Sequence, residues 1–433
     1  MRILLSAYSC EPGRGSEPGV GWNTAIELGR HHDVWVVTKS RHREPIEREL
    51  AARPRPGVHF VYFDMPPGLH WTRRESHVQL HYYLWQYGVY GLARRLQRSV
   101  GFDVAFHATF GRRWSPSLFA LLPIPFVWGS VGGGEVVPTN LRDLLPPRDR
   151  LVERLKGWLF GLSRFDPIVR LTARRSSSIL ANNDVTAATL AAMGGTRIQC
   201  MDATAVDRET MNLIDGLQEP PAPVPGDPVR FATLSRLLPW KGIQLGLRAF
   251  HQLGDPRARY VIAGEGPQRE PLLRLANELG IADRVEFREN ASRAEWMQII
   301  KACHAVIHPA LANRLNTIVL EAMLCARPII CFNDPHLVDR LGPDTSYFVD
   351  GRDSRSAVEG FAEALRCVAA QPAAARQRGL AARRRALRLF TWDTRREQLL
   401  RLLDEVVTGA GEQSARLLRL PHGGEPERHR WVG

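Results

Sequence analysis

Short apolar runs alternate along this chain with longer stretches whose apolar residues recur at helical spacing. In the first half the runs are RILLSAY (2–8), DVWVVTK (33–39), VHFVYF (58–63), DVAFHAT (103–109), FVWGSV (126–131) and SSILANN (177–183). Between them lie helical segments such as WNTAIELGR (22–30). Strand, helix, strand in this rhythm predicts a parallel sheet with helices on both faces. The rhythm restarts in the second half. VRFATLS, ARYVIAG, VEFREN, AVIHPA and PIICF read as strands, and IQLGLRAFHQL, EPLLRLANELG, RAEWMQIIKAC and TIVLEAML as the helices between them.

The break between the halves is compositional. Residues 216–228, GLQEPPAPVPGDP, are Pro-rich and read as a linker. The expected organisation is therefore a first Rossmann-like domain over 1–215, the linker, and a second over 229–390. A helix at 391–410 would cross back to the first domain, and the tail 411–433 reads as disordered. At 433 residues the chain is too long for one core, which agrees with two doubly wound α/β domains facing across a cleft.

Charge narrows the partners. The formal net charge is +13, which fits either a basic solvated surface or an anionic partner: a nucleotide, lipid headgroups or nucleic acid. Only four lysines occur, Lys39, Lys156, Lys241 and Lys301. In so Arg-rich a chain each one marks a candidate need for a compact ammonium. The six cysteines show no CxxC spacing, so they read as free thiols in a reducing compartment. The N-terminus lacks signal-peptide character and no run reaches the ~18 apolar residues of a spanning helix. The expectation is a cytoplasmic protein, peripheral at most on the inner face of a membrane. Residues 69–98 mix aromatics and arginines at near-helical spacing. That stretch fits either core packing or an interfacial helix on an anionic bilayer.

Candidate chemistry sits at strand ends. In LSRLLPWKG, Arg236 and Lys241 flank a turn between a strand and a helix, the position of an anion site. Gly266 belongs to the Gly-Pro turn GEGP after the next strand. In HPALANRLNTIVLEAM, Asn316 or Thr317 caps a helix whose N–H groups would meet a phosphate. One turn on stands Glu321, a lone acid beside an apolar run, placed to accept from ribose hydroxyls.

These motifs, with FTWDTRREQLLRLL (390–403), resemble the carboxyl-terminal domain of family-4 retaining glycosyltransferases of GT-B fold. The resemblance runs, with gaps, from residue 1 to about 405 and is strongest over 230–332. It implies transfer of a sugar from a nucleotide-diphosphate donor with retention at the anomeric carbon. The donor would lie against the second domain and a glycan or lipid-linked acceptor against the first. Glu321 matches the family's ribose-contacting glutamate. The family's other glutamate, which contacts the donor sugar near the reacting carbon, falls at Asn313, where the charge is lost. Arg314 enlarges what the family keeps small.

In the first domain, EPGRGSEPGVGW resembles the family's glycine loop. Gly19 takes the place of its first glycine and Gly15 is a further candidate for close backbone approach. Glu17 is a candidate for acceptor contact. Many family members carry a histidine near Val131. Here Gly132, Gly133, Gly134 and Glu135 follow instead, as a possible anion nest or a loop passing close to substrate. His107, after the preceding strand, is the candidate to replace that histidine. With no DxD motif and no metal-ligand spacing, Arg236 and Lys241 would stabilise the leaving diphosphate without a metal or other cofactor. A non-catalytic nucleotide-sugar or glycan-binding homologue remains the alternative. Nucleic-acid binding has only charge behind it, and no GxGxxG closes the first strand in the register of a dinucleotide oxidoreductase.

Overall fold

The computed structural model describes residues 1–66, 75–219, 227–312 and 315–409. Residues 220–226 of the Pro-rich stretch, Asn313, Arg314 and 410–433 lie outside them.

Two parallel sheets organise the chain. The first contains β1 (Arg2–Ser6), β2 (Asp33–Thr38), β3 (Val58–Tyr62), β4 (Val104–His107), β5 (Phe126–Val131), β6 (Ser178–Ala181) and β7 (Ile198–Cys200). Its order is β3-β2-β1-β4-β5-β6-β7. The second contains β8 (Arg230–Leu234), β9 (Arg259–Ala263), β10 (Val285–Arg288), β11 (Ala305–His308), β12 (Ile329–Phe332) and β13 (Tyr347–Val349). Its order is β10-β9-β8-β11-β12-β13. Each sheet reverses its strand order once, between β1 and β4 and between β8 and β11. A crevice opens at the carboxyl ends of such strands, where α/β folds take ligands.

Both faces of each sheet are covered, so the strands are apolar throughout. Ile3 and Leu5 pack into one core of the first sheet, and Leu4 into the core on its other face. Phe231 and Ala232 divide in the same way across the second sheet. The edge strands β7 and β13 had no counterpart among the expected runs. Each is only three residues long: β7 (IQC) is only partly buried, and β13 (YFV), though apolar, is too short to stand out as a run.

The last described helix, Trp392–Thr408, follows the second sheet in sequence but packs on the first. Leu399, Leu402, Leu403 and Val406 enter the first domain's core. Arg396 pairs with Glu27 at 2.6 Å, and buried Arg395 donates to Ser130 Oγ at 2.8 Å. This helix fastens the two halves together.

The helix Glu75–Val100 settles residues 75–98 of the aromatic stretch. Tyr82 and Trp85 are buried beneath the first sheet, packed edge-on against Tyr8. Tyr82 and Trp85 thus fill core volume, while Leu80 and Tyr87 of the same helix stay exposed. Residues 69–74 lie outside the described part.

Candidate functional site

The glycine loop leaves β1 and turns into the helix Ser16–Leu28, capped by Gly15. Gly19 is required by close packing, since a Cβ there would stand 2.1 Å from the Arg14 carbonyl oxygen. Glu17 is half-buried and accepts the Phe110 N–H at 2.9 Å, tying the loop to the segment after β4. Burial raises its pKa, opposed by that hydrogen bond and by Arg112. One of its oxygens is thus committed within the protein.

Across the cleft, β8 ends before Arg236, and Lys241 sits on the short turn Pro239–Lys241. Arg236 is exposed; Lys241 is buried, with Nζ 4.4 Å from the Trp240 ring centroid. Burial, then Arg236, pushes the Lys241 pKa down to about 8, while Glu135 of the first domain acts the other way. Glu135 also accepts from Asn183 Nδ2 at 2.6 Å. Lys241 and Glu135 are therefore electrostatic neighbours across the two domains. The turn is held against the exit of β11 by the Leu311 N–H bond to the Trp240 carbonyl, 3.0 Å.

Gly264 and Gly266 adopt φ of +138° and +153°. A Cβ on either would collide with backbone oxygen, of Ser235 at 1.9 Å and of Leu237 at 2.5 Å. The GEGP turn is thus pressed onto the Arg236 segment. It also receives the FRENAS loop, whose Asn290 N–H donates to Glu265 at 3.3 Å.

The helix Thr317–Leu324 begins with Asn316 as its cap. Asn316 Oδ1 accepts from the Ile318 and Val319 N–H groups at 3.1 and 3.4 Å. Those two amides are occupied, so the expectation that this helix end presents them to a phosphate is corrected. Glu321 is 2% exposed and accepts from Arg293 Nη2 at 2.8 Å. The same nitrogen donates to Thr210 Oγ1 at 2.9 Å. Burial raises the Glu321 pKa to about 7; Arg293 opposes the rise and Asp207 adds to it.

One cavity joins the glycine loop to the helix that carries Glu321, and Arg236, Lys241, Gly266 and Asn316 are not among its lining residues. About 420 Å³ in volume, it is lined by Gly15, Gly19, Thr210, Arg293, Thr317 and Glu321 among others. Glu321 therefore faces a space between the two halves and shares it with an arginine. Arg293 was not among the expected residues. Ser292 and Glu295 form a capping box, which sets Arg293 at the first position of the helix Arg293–Ala302 but does not show that it reaches Glu321.

Other candidates moved. His107 is fully buried, with Nε2 2.9 Å from Tyr82 Oη and Nδ1 2.9 Å from Ser117 Oγ. Burial pushes its pKa down to about 4. It stands in the core below the crevice and does not face the cleft, because the last residue of β4 points into the helix Glu75–Val100. Gly132 donates its N–H to the Gly111 carbonyl at 2.8 Å. A Cβ on Gly133 would strike the Trp114 ring, and one on Gly134 the Arg113 guanidinium. These glycines make room for neighbouring side chains, and Gly133 and Gly134 hold φ of +82° and +80°. Asn313 lies outside the described residues. Among the described residues no three His, Cys, Asp or Glu side chains gather as a metal site.

Two parallel doubly wound sheets closing on one interdomain cleft, with the last helix crossing back, define a two-domain α/β fold of GT-B type. The solved sucrose-phosphate synthase of Thermosynechococcus elongatus superposes on it with a TM-score of 0.64, over 94% of this chain and 99% of that one, at 15% identity. Residues 218–381, within the second half of the chain, match the family described as glycosyl transferases group 1. Among curated relatives, the D-inositol 3-phosphate glycosyltransferase of Mycolicibacterium smegmatis is 34% identical over 113 residues, 25% of each chain. The GDP-mannose-dependent alpha-(1-6)-phosphatidylinositol monomannoside mannosyltransferase of the same organism is 32% identical over 191 residues, 41% of this chain and 48% of that protein. The chain thus spans between a quarter and a half of the length of these relatives. No helix among the described residues is long and apolar enough to cross a membrane.

Proposed function

We propose that this protein is a retaining glycosyltransferase that uses a nucleotide-diphosphate sugar and needs no metal. The observation that carries the reading is the placement of the candidate residues at the switch points of the sheets. The glycine loop follows β1, and the Arg236–Lys241 and Asn316–Glu321 segments follow the neighbouring strands β8 and β11.

In this reading Glu321 takes the ribose hydroxyls once Arg293 yields to them. Arg236 and Lys241 hold the diphosphate; Gly266, Asn316 and Thr317 shape the donor pocket, and Asn313, outside the described residues, takes the sequence place of the family's sugar-contacting glutamate. The bond from the anomeric carbon to the β-phosphate oxygen breaks. The acceptor oxygen bonds to the same face, and its proton passes to the departing diphosphate. The two cations balance the charge that develops there, as donors fixed in place before reaction do. The acceptor is a glycan or a lipid-linked glycan, bound towards Gly15, Gly19, Glu17 and the Gly132–Glu135 loop. His107 serves this site as a buried support.

The test is incubation with nucleotide sugars of the base that binds, following nucleoside diphosphate release and the anomeric configuration of product by NMR. Release that depends on Lys241, with retained configuration, supports the reading. Tight nucleotide-sugar binding without turnover on any acceptor would favour the non-catalytic homologue, which Asn313 in place of a glutamate also favours.

A further inference from the structure

The helix Pro147–Ser163 is built inside out. Its inner side is fastened by Glu153, which is buried, accepts the Val137 N–H at 3.0 Å and pairs with Lys156 at 2.7 Å. Phe160 stacks on Trp114 with ring centroids 4.4 Å apart. The opposite side carries Leu151, Leu155, Trp158, Leu159, Leu162 and, just past the end, Phe165, all exposed. Leu151 is 68% exposed, Trp158 62% and Phe165 59%. At 100° per residue these positions form one continuous stripe opposite Glu153 and Phe160. A contiguous apolar stripe in water marks an interaction surface.

The charges around the stripe select its partner. Residues 147–165 hold five basic side chains, Arg148, Arg150, Arg154, Lys156 and Arg164, against the acids Asp149 and Glu153. Arg154 borders one edge of the stripe and Lys156 the other. Of the acids, Glu153 is buried and already bonded. A second copy laid on this face would bring arginine against arginine. An anionic bilayer offers acyl chains to the stripe and phosphates to its borders.

We propose that this helix docks the protein on an anionic membrane surface, lying in the interface with Leu151, Leu155, Trp158, Leu162 and Phe165 among the acyl chains. At 17 residues it is about 25 Å long, suited to lie along a surface. Val137, which it anchors, is two residues from Glu135, the electrostatic neighbour of Lys241. Docking therefore brings the mouth of the cleft to the bilayer. From this follows a lipid-linked acceptor, a consequence that rests on the transferase reading; the docking itself does not.

The test is co-sedimentation of the full chain with vesicles of mixed phosphatidylglycerol and phosphatidylcholine, against pure phosphatidylcholine. Wild type should partition onto the anionic vesicles and lose that binding as salt rises. Leu155→Glu/Leu162→Glu and, separately, Arg148→Glu/Arg154→Glu should each lower partitioning at least tenfold. Both pairs are exposed, and both variants should keep the wild-type far-UV circular dichroism. Nucleotide-induced thermal shifts in both variants should match wild type, which separates loss of docking from loss of the donor site. Absence of binding to anionic vesicles would overturn the proposal, as would binding that both variants retain. A stripe-dependent dimer in analytical ultracentrifugation, without vesicle binding, would assign the face to a second copy instead.

Discussion

Glu321→Gln should make the protein more stable and a poorer binder at the same time. Burial lifts the Glu321 pKa from 4.5 to about 7, although Arg293 is in contact. The native state therefore holds a proton that the unfolded chain has released between those values. The stability linked to this group is full below about pH 4.5 and lost as pH rises through about 7. At about 1.4 kcal/mol per pKa unit, the loss is on the order of 3 kcal/mol above neutrality. Gln carries no charge and keeps an acceptor for Arg293, so urea unfolding at about pH 8 should find the variant more stable by 1 to 3 kcal/mol as an order of magnitude. Near pH 5 the difference should shrink towards zero. Binding should move oppositely. Hydrogen bonds from ribose to a carboxylate contribute about 1.5–3 kcal/mol, so the variant should lose roughly 10- to 150-fold in nucleoside diphosphate affinity at pH 8. Wild-type affinity should also fall roughly tenfold per pH unit below about 7, and the variant's should not. Calorimetric titration from about pH 5.5 to about pH 8.5 measures both. A variant less stable than wild type at pH 8, or one that binds as wild type does, would refute the reasoning.

Further tests use the same measurements. Arg293→Ala removes the group that holds the Glu321 pKa down, so the acid limb of the binding profile should move to higher pH. Lys241, with its pKa pushed to about 8, should supply an alkaline limb that disappears in Lys241→Ala. Gly264→Ala forces a Cβ to within 1.9 Å of a backbone oxygen at φ +138°, and urea unfolding should report a loss of roughly 2 kcal/mol or more. Gly91→Ala, in a helix with nothing within 4 Å of the new Cβ, should instead gain about 0.5–1 kcal/mol. His107 has a depressed pKa, so its stability contribution is present above about 6.5 and lost as pH falls through about 4. His107→Asn should flatten that part of the pH–stability curve while nucleotide affinity stays unchanged.

The fold was legible because buried parallel strands must be apolar on both faces, and eleven of them stand out as runs. β7 and β13 escaped because three-residue edges need no such run. Position after a strand marked Arg236 and Lys241 as candidates, and a lone acid in the apolar helix after β11 marked Glu321, but position alone cannot tell which side of the sheet a side chain takes. His107, the last residue of β4, illustrates this: it turned into the core, where Tyr82 and Ser117 satisfy its ring. The rarity of lysine was a partial guide. Lys241 borders the cleft, whereas Lys301 is buried on the Leu217 carbonyl at 2.9 Å. Arg293 was hidden among many arginines, since only folding brings it across 28 residues to Glu321. The stripe on Pro147–Ser163 has the period of a core-facing helix. Whether such a face turns inward depends on Glu153 and Phe160 holding the other side, and periodicity does not carry that information.

The central claim is that the cleft binds a nucleoside diphosphate through Arg236, Lys241 and Glu321. Its most direct test is calorimetric titration of UDP, GDP, ADP, CDP and TDP, without added metal, into wild type and Lys241→Ala. The account predicts selective binding of one base by wild type, weakened roughly tenfold or more in the variant as a charge-assisted phosphate contact is lost. Binding of none of the five, or equal affinity in both proteins, would contradict it.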